Sequence, residues 1–245
     1  DNPEEMIGQV DCVMIDHRDG IFHVPAAIPF VQAGLPVFVD KPLSTRLRDA
    51  KKHMKLRRER GVPVTSMSAV PWQASTDTLI RDMKKLAPLG SLQLVGAGDY
   101  KSKYGGIGFY GIHIVETMIR IVGAQARWVR AETNGPNCSV LVGYGSSHDG
   151  GEVDYNDGLV VTLSFTKEKV PFAAAAGGPN GWVSGELTFD DNPYLAPTKM
   201  WSTMFRSGTE PIPERDMLAA VAVLEAMVKS VAEKRMVRVG RVRMT

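Results

Sequence analysis

VDCVMIDHRDGIFHVPAAIPFVQAGLPVFVDKPLS, residues 10–44, decides the fold. Val10–Ile15 is a short, nearly all-apolar run, as a parallel strand covered on both faces would be. His23–Ala33 reads as a helix ended by Gly34, and Leu35–Val39 as a second buried strand. The connections are tight, so strand, helix and strand make one crossover unit. Ser44 or Thr45 can cap the next helix, which carries Leu43, Leu47, Ala50 and Met54 at helical spacing and stops at Gly61. VPVTSMS, from Val62, supplies a third strand. A right-handed run of such units is a doubly wound α/β sheet.

Past Trp72 the pattern changes. A helix is expected near Ser75–Leu86, a strand near Leu92–Ala97, and a helix over Ile112–Val122 closed by Gly123. Residues 126–133, 158–165 and 182–189 then alternate or cluster apolar side chains between Gly, Asn, Asp and Pro turns, as antiparallel strands with one wet face do. Met217, Val221, Leu224, Val228 and Val231 mark a helix over 215–234, and MVRV a closing strand. SSHDGGEVDYNDG, residues 146–158, is the expected mobile loop. The expected fold class is α/β plus α+β. Residues 1–70 form a partial doubly wound sheet, and residues 71–245 a second domain with a large, mostly antiparallel open sheet, whose C-terminal helix is in reach of the first.

At 245 residues and 44% hydrophobic content the chain can fill a proper core. Its 29 Lys and Arg nearly cancel 27 Asp and Glu, and a net charge of +2 gathers neither nucleic acid nor anionic lipid. The basic helix before Gly61 reads as a solvated face, because its apolar stripe lies opposite and no aromatics interleave with the charges. Two distant cysteines, Cys12 and Cys138, make no disulfide framework, so a reducing, cytoplasmic setting is expected. No apolar run approaches the length of a membrane span, and DNPEEM is acidic where a signal peptide is basic and then apolar.

Two motifs carry chemistry. Asp16-His17-Arg18-Asp19 and Asp40-Lys41-Pro42 lie where strands end, and there open α/β sheets bind ligands. Lys41, against an apolar wall, loses hydration and exchanges a proton more readily near neutral pH; the plainer reading pairs it with Asp40. His113 follows Gly105, Gly106, Gly108 and Gly111, so the backbone can pass close to a ligand before the helix begins. A helix N-terminus favours neutral imidazole, which accepts a proton, and Glu116 can orient the ring. The plainer reading there is a capping histidine. His17, His23, His53 and His148 show no zinc-type spacing, so no metal is expected. No Gly-x-Ser-x-Gly elbow and no GxxxxGK loop occurs.

Together these residues resemble the Gfo/Idh/MocA family of NAD(P)-dependent oxidoreductases over nearly the whole chain. Residues 11–44 look like its stretch from the fourth Rossmann strand through its Glu-Lys-Pro motif, with Asp40 where Glu is usual. GGIGFYGIHIVETM looks like its glycine-rich segment with an Asp-x-x-x-His pair, though Phe109 stands where the Asp would be and Tyr110 is the nearest substitute. The central β region and AVAVLEAMVKSVAEKRMVRV are similar to its second-domain sheet and C-terminal helix and strand. The resemblance implies that Lys41 reaches the nicotinamide ribose and the substrate, and that His113 helps remove a hydroxyl proton. It also implies that Asp16, His17, Arg18, His23 and Asp40 line the cofactor, and that Tyr104, Phe109, Tyr110 and Glu116 face a sugar, polyol or related substrate.

NAD or NADP is the implied cofactor of the intact protein, and a homodimer or homotetramer through the β-sheet the implied assembly. No GxGxxG precedes the first crossover unit, and the sequence begins about where the fourth strand should, so an N-terminally incomplete chain is expected, short by roughly 60 to 70 residues on the size of βαβ units. Two alternatives to hydride transfer are an NAD-dependent glycoside-cleaving relative and a non-catalytic binding or assembly subunit.

Overall fold

Three short strands pair in parallel to build the first layer. β1 (Val13–Ile15), β2 (Val37–Val39) and β3 (Val64–Ser66) lie in that order, with α1 (His23–Gln32) and α2 (Leu47–Arg60) crossing between them. The computed structural model of the chain describes residues 2–145 and 150–242. Val37 is in register with Val13 and Val64, and central β2 is buried at every residue. Gly61 ends α2 in the left-handed conformation, φ 63°, as its place after the last turn predicts. At the other end the expected cap differs. Arg46 holds the cap position without a side-chain bond, and Ser44 is buried, its Oγ accepting the Arg46 N–H at 3.2 Å.

The second layer is a seven-stranded sheet. Its strands are β4 (Ser91–Ala97), β5 (Ala126–Asn134), β6 (Asn137–Tyr144), β7 (Val160–Thr166), β8 (Ala173–Gly178), β9 (Gly181–Glu186) and β10 (Val237–Arg238). The order is β10-β5-β6-β7-β4-β8-β9, antiparallel except for the β4–β7 pair. Ala131, Val140, Leu163, Leu94 and Ala174 form one row across it, all buried in the core shared with Ile114, Val115 and Met118 of α4 (Gly108–Val122). α3 (Ala74–Leu86) joins the same core through Leu79, Ile80 and Met83. β6, β8 and α5 (Leu195–Ser207) were not anticipated from the sequence.

α6 (Glu214–Glu233) belongs to both layers. Met217, Leu218, Val221 and Ala222 pack in the core of the parallel sheet, while Ala219, Ala220, Val223, Leu224, Ala226 and Met227 pack in that of the large sheet. The single apolar stripe read from the sequence is therefore too narrow, and Val228, one of its members, is exposed. A helix buried on two sides is apolar nearly all round. The basic end of α2 is not simply solvated either: Arg57 bonds Glu210, Arg58 bonds Glu214, and Glu210 also accepts the Val64 N–H at 2.8 Å.

The expected mobile loop also needs correcting. Its residues 146–149, His148 among them, lie outside the described residues. Further on, Val153 and Tyr155 are buried, and Glu152 accepts from Arg120 at 2.7 Å and Lys84 at 2.8 Å. Among the described residues no helix is long and apolar enough to cross a membrane, and no group of three His, Cys, Asp or Glu could hold a metal ion.

His53 on α2 is wholly buried, and neither ring nitrogen has a partner among the described residues. Burial pushes its pKa down to about 4 from an ordinary 6.5. The unfolded chain therefore takes up a proton that the folded chain refuses, so stability is intact above pH 6.5 and falls as the pH drops toward 4. Replacing His53 with Leu is expected to stabilise the fold by about 1–3 kcal/mol at neutral pH, the usual cost of a buried unpaired polar group. The advantage should grow on acidification by up to about 3 kcal/mol, since one pKa unit is about 1.4 kcal/mol. Urea unfolding of both proteins across that pH range checks it.

Candidate active site

The carboxyl ends of β1, β2 and β3 open on a cleft of about 720 Å³. Its other wall comes from α4, residues 169–172 and 186–189, and α5. Asp16 follows β1, Asp40 and Lys41 follow β2, and all three line it. Lys41 Nζ lies 3.8 Å from Asp40 Oδ2, so the ion pair read from the sequence forms while the ammonium still faces the cleft. The same nitrogen is 5.3 Å from the ring centre of Phe109 and 5.8 Å from that of Tyr110, within reach of cation–π attraction.

α4 begins at Gly108, so His113 stands on its second turn rather than opening it. The helix terminus is thus not what keeps the ring neutral. Burial does so first and the Lys41 charge second, pushing the His113 pKa down to about 3. Nδ1 lies 2.7 Å from Ser68 Oγ, which leaves Nε2 as the free nitrogen of a ring that lines the cleft. Ser68 also gives its backbone N–H to Glu116 Oε2 at 2.6 Å. Glu116 therefore acts on the histidine through Ser68 rather than directly. Burial, reinforced by Asp40 and opposed by the Ser68 N–H and Lys41, pushes the Glu116 carboxyl up to about 8. Its other side meets a smaller cavity of about 180 Å³ on the far side of α4.

The glycine run works differently from its sequence reading. Gly105 and Gly106 have φ of +99° and +63°, and a Cβ on Gly106 would lie 3.0 Å from the Tyr100 carbonyl oxygen. The close approach is to the chain itself, in the turn that aims α4. Of the residues expected to face substrate, Tyr110 lines the cleft. Tyr104 and Phe109 instead stack on each other at 4.9 Å, with the Arg18 guanidinium 4.9 Å from the Tyr104 ring centre. His17 packs beside Phe22. His23 is wholly buried, with ring nitrogens 2.6 Å from the Pro42 carbonyl and 2.7 Å from the His17 carbonyl, so it ties the loops after β1 and β2 together.

Several cleft residues escaped the sequence reading. Ser68 was legible in principle, since it lies two residues past the end of β3 and the strand-end rule covers it. Phe38, Phe172, Phe189, Tyr194 and Trp201 carry no local signal and meet only in the folded chain. Phe172 has a place because β4 has glycine opposite it: a Cβ on Gly96 would lie 2.7 Å from its ring.

Residues 1–68 match the family model of the Gfo/Idh/MocA oxidoreductases, described as an oxidoreductase family with an NAD-binding Rossmann fold. That segment is similar to the Gfo/Idh/MocA oxidoreductases, and NAD is the cofactor their description names. The residues of this segment fit the nicotinamide end of such a cofactor: Lys41, Asp16 and the apolar Met14 and Phe38 converge on a cleft that His113 also lines. The whole chain shares its fold with solved structures. GenD2 from gentamicin A biosynthesis, in complex with NAD, is 17% identical, with a TM-score of 0.80 over 98% of this chain and 82% of that one. Myo-inositol 2-dehydrogenase from Lactobacillus plantarum is 16% identical, with a TM-score of 0.79 over 98% and 84%. Aldose-aldose oxidoreductase from Caulobacter crescentus, complexed with glycerol, is 18% identical, with a TM-score of 0.74 over 96% and 82%. No curated protein matches the sequence.

Glu116 gives this site a measurable pH signature. Its folded pKa of about 8 exceeds the ordinary 4.5, so its contribution to stability is full below pH 4.5 and is lost as the pH rises toward 8. Glu116→Gln keeps an acceptor for the Ser68 N–H and removes the titration. Unfolding curves should then show the variant matching the wild type in acid and exceeding it at alkaline pH; parallel pH profiles would show that the carboxyl ionises normally.

Proposed function

We propose that the chain is an NAD(P)-dependent oxidoreductase that interconverts a hydroxy compound and its carbonyl form. One observation carries the proposal. A lysine ammonium from the parallel sheet and a neutral imidazole from the helix under the large sheet face the same cleft. The named neighbours, an inositol dehydrogenase and an aldose oxidoreductase, support sugars and polyols as the broad substrate class. In this reading residues 1–70 serve the cofactor, residues 71–245 serve substrate and assembly, and the protein works in the cytoplasm.

When bound, the nicotinamide supplies hydride transfer, and position and proton movement fall to the protein. Lys41 donates an N–H to the reacting oxygen and stabilises the negative charge that grows there as the hydroxyl loses its proton. His113 takes that proton at Nε2. For this the ring carries its own hydrogen on Nδ1, and Ser68 Oγ, 2.7 Å away, accepts it. Once Nε2 holds that proton both ring nitrogens carry hydrogen and Nδ1–H still donates to Ser68 Oγ, so the same bond serves the reverse direction, in which Nε2 gives the proton back. Glu116, kept neutral by burial, holds Ser68 in place without adding a charge beside the imidazole.

The outer face of the large sheet supports self-association. Across its middle run Leu141, Thr162, Gln93, Ala175 and Ser184, and beside them Ser139, Ser164, Val95 and Ala173; Arg130, Glu132 and Glu186 stand only at the ends of these rows. A flat face without central charge suits a second copy of the same sheet. Sedimentation velocity is expected to show a dimer or tetramer, and Thr162→Arg, which puts a charge in mid-face, to give monomers with the fold intact.

The catalytic reading has its own test. Lys41→Ala and His113→Ala are each expected to lower the rate of NAD(P) reduction by about a hundredfold or more, the scale of a general acid–base group. Rates within about threefold of the wild type would remove both residues from the mechanism.

A further inference from the structure

We propose that the cleft takes a secondary alcohol, or its ketone, whose body is an apolar ring rather than a polyol. The inference rests on the oxidoreductase reading above and departs from the sugar and polyol class that the neighbours' names suggest. The polar groups of the cleft segregate. Lys41, Asp40, Ser68 and His113 gather at the reacting end, beneath the strand ends. On the opposite wall Lys169, Glu186 and Thr188 are exposed and mark the mouth. Between mouth and reacting end that wall is mostly apolar, Phe172, Leu187, Pro197 and Trp201, with Thr198 and the Tyr194 hydroxyl as its polar groups and Phe38 tilted against Trp201 at 5.4 Å.

The aromatic surface is continuous with the reacting histidine. The Phe172 ring stands edge-on to His113 at 5.5 Å, and Phe189 edge-on to Phe172 at 6.2 Å. Phe189 is 54% exposed and Tyr194 68%, although both line a concave surface. Large apolar groups left open in a cleft mark a binding surface. Most hydroxyls of a polyol buried against this wall would lose water without gaining a partner. An apolar ring loses nothing there and gains area and ring contacts. One oxygen is all the reacting end needs, and Lys41 and His113 supply its two partners.

The test uses 1-phenylethanol and myo-inositol as probes, with the protein and NAD⁺ together. Ligand-observed saturation-transfer NMR gives binding, and nicotinamide absorbance gives turnover. The expected result is 1-phenylethanol bound about tenfold or more tightly than myo-inositol, with that preference lost in Phe172→Ala, because a ring contact and its buried area are worth that much. Phe189→Ala, at an exposed position, serves as the second variant should Phe172→Ala fail to fold, and is expected to weaken 1-phenylethanol in the same direction. Equal or tighter binding of myo-inositol, binding of neither probe, or a preference that both variants leave intact overturns the inference. Turnover separates the two readings. Oxidation of myo-inositol but not 1-phenylethanol upholds the oxidoreductase and rejects the apolar substrate. Phe172-dependent binding of 1-phenylethanol with no turnover of either probe upholds the apolar ligand and rejects the oxidoreductase.

Discussion

The burial of α6 on two sides is the constraint on which the rest of the molecule depends. A parallel sheet of three short strands and a seven-stranded sheet have separate cores, and this helix completes both. The attachment is polar as well as apolar. Met217 Sδ accepts the Ser66 N–H at the end of β3, and the Arg57–Glu210 and Arg58–Glu214 pairs anchor the start of α6 and the loop before it to α2. Charged pairs this enclosed are costly to break once formed, because each leaves a desolvated partner behind. The orientation of one sheet against the other is thereby set, and with it the shape of the cleft between them.

That cleft is a product of the joint rather than of either sheet. Lys41 and Asp40 are delivered by β2, Ser68 by the segment after β3, and His113 and Glu116 by α4. The Ser68–His113 and Ser68–Glu116 bonds cross from one layer to the other. They fix the imidazole relative to the lysine, and the same packing that fixes it also desolvates it and holds it neutral.

Much of this was legible in the sequence, for identifiable reasons. β1, α1, β2, α2 and β3 were readable because short runs rich in apolar or β-branched residues alternate with helical spacing, and the helices stop at Gly34 and Gly61. Lys41 was readable because strand ends are where such sheets do chemistry. β8 was not: AAAAGG has no branched or aromatic side chain, and it is a strand only because β4 and β9 pair with it on either side. β6 was missed despite a legible signal, since Asn134 pairs with Asn137 across the two-residue loop Gly135-Pro136, and a glycine of positive φ, here 58°, in the first loop position is a hairpin mark. α5 buries only Pro197 and Met204, too little to show as a stripe. At the site, Glu116 was placed one bond too close to the histidine, because spacing along a helix cannot reveal a serine that intervenes from another strand.

The alanines of α6 have a role that their hydrophobicity does not describe. Ala219, Ala220 and Ala226 face one core and Ala222 the other, all nearly without exposed surface. Their single methyl groups act as a spacer gauge between two sheets, and the gap between lysine and histidine inherits its width from them. A longer side chain at any of these positions would keep the helix and both cores apolar, yet it would reset the distance across a cleft it never touches. Side-chain volume in a helix remote from the cleft therefore sets the width of that cleft.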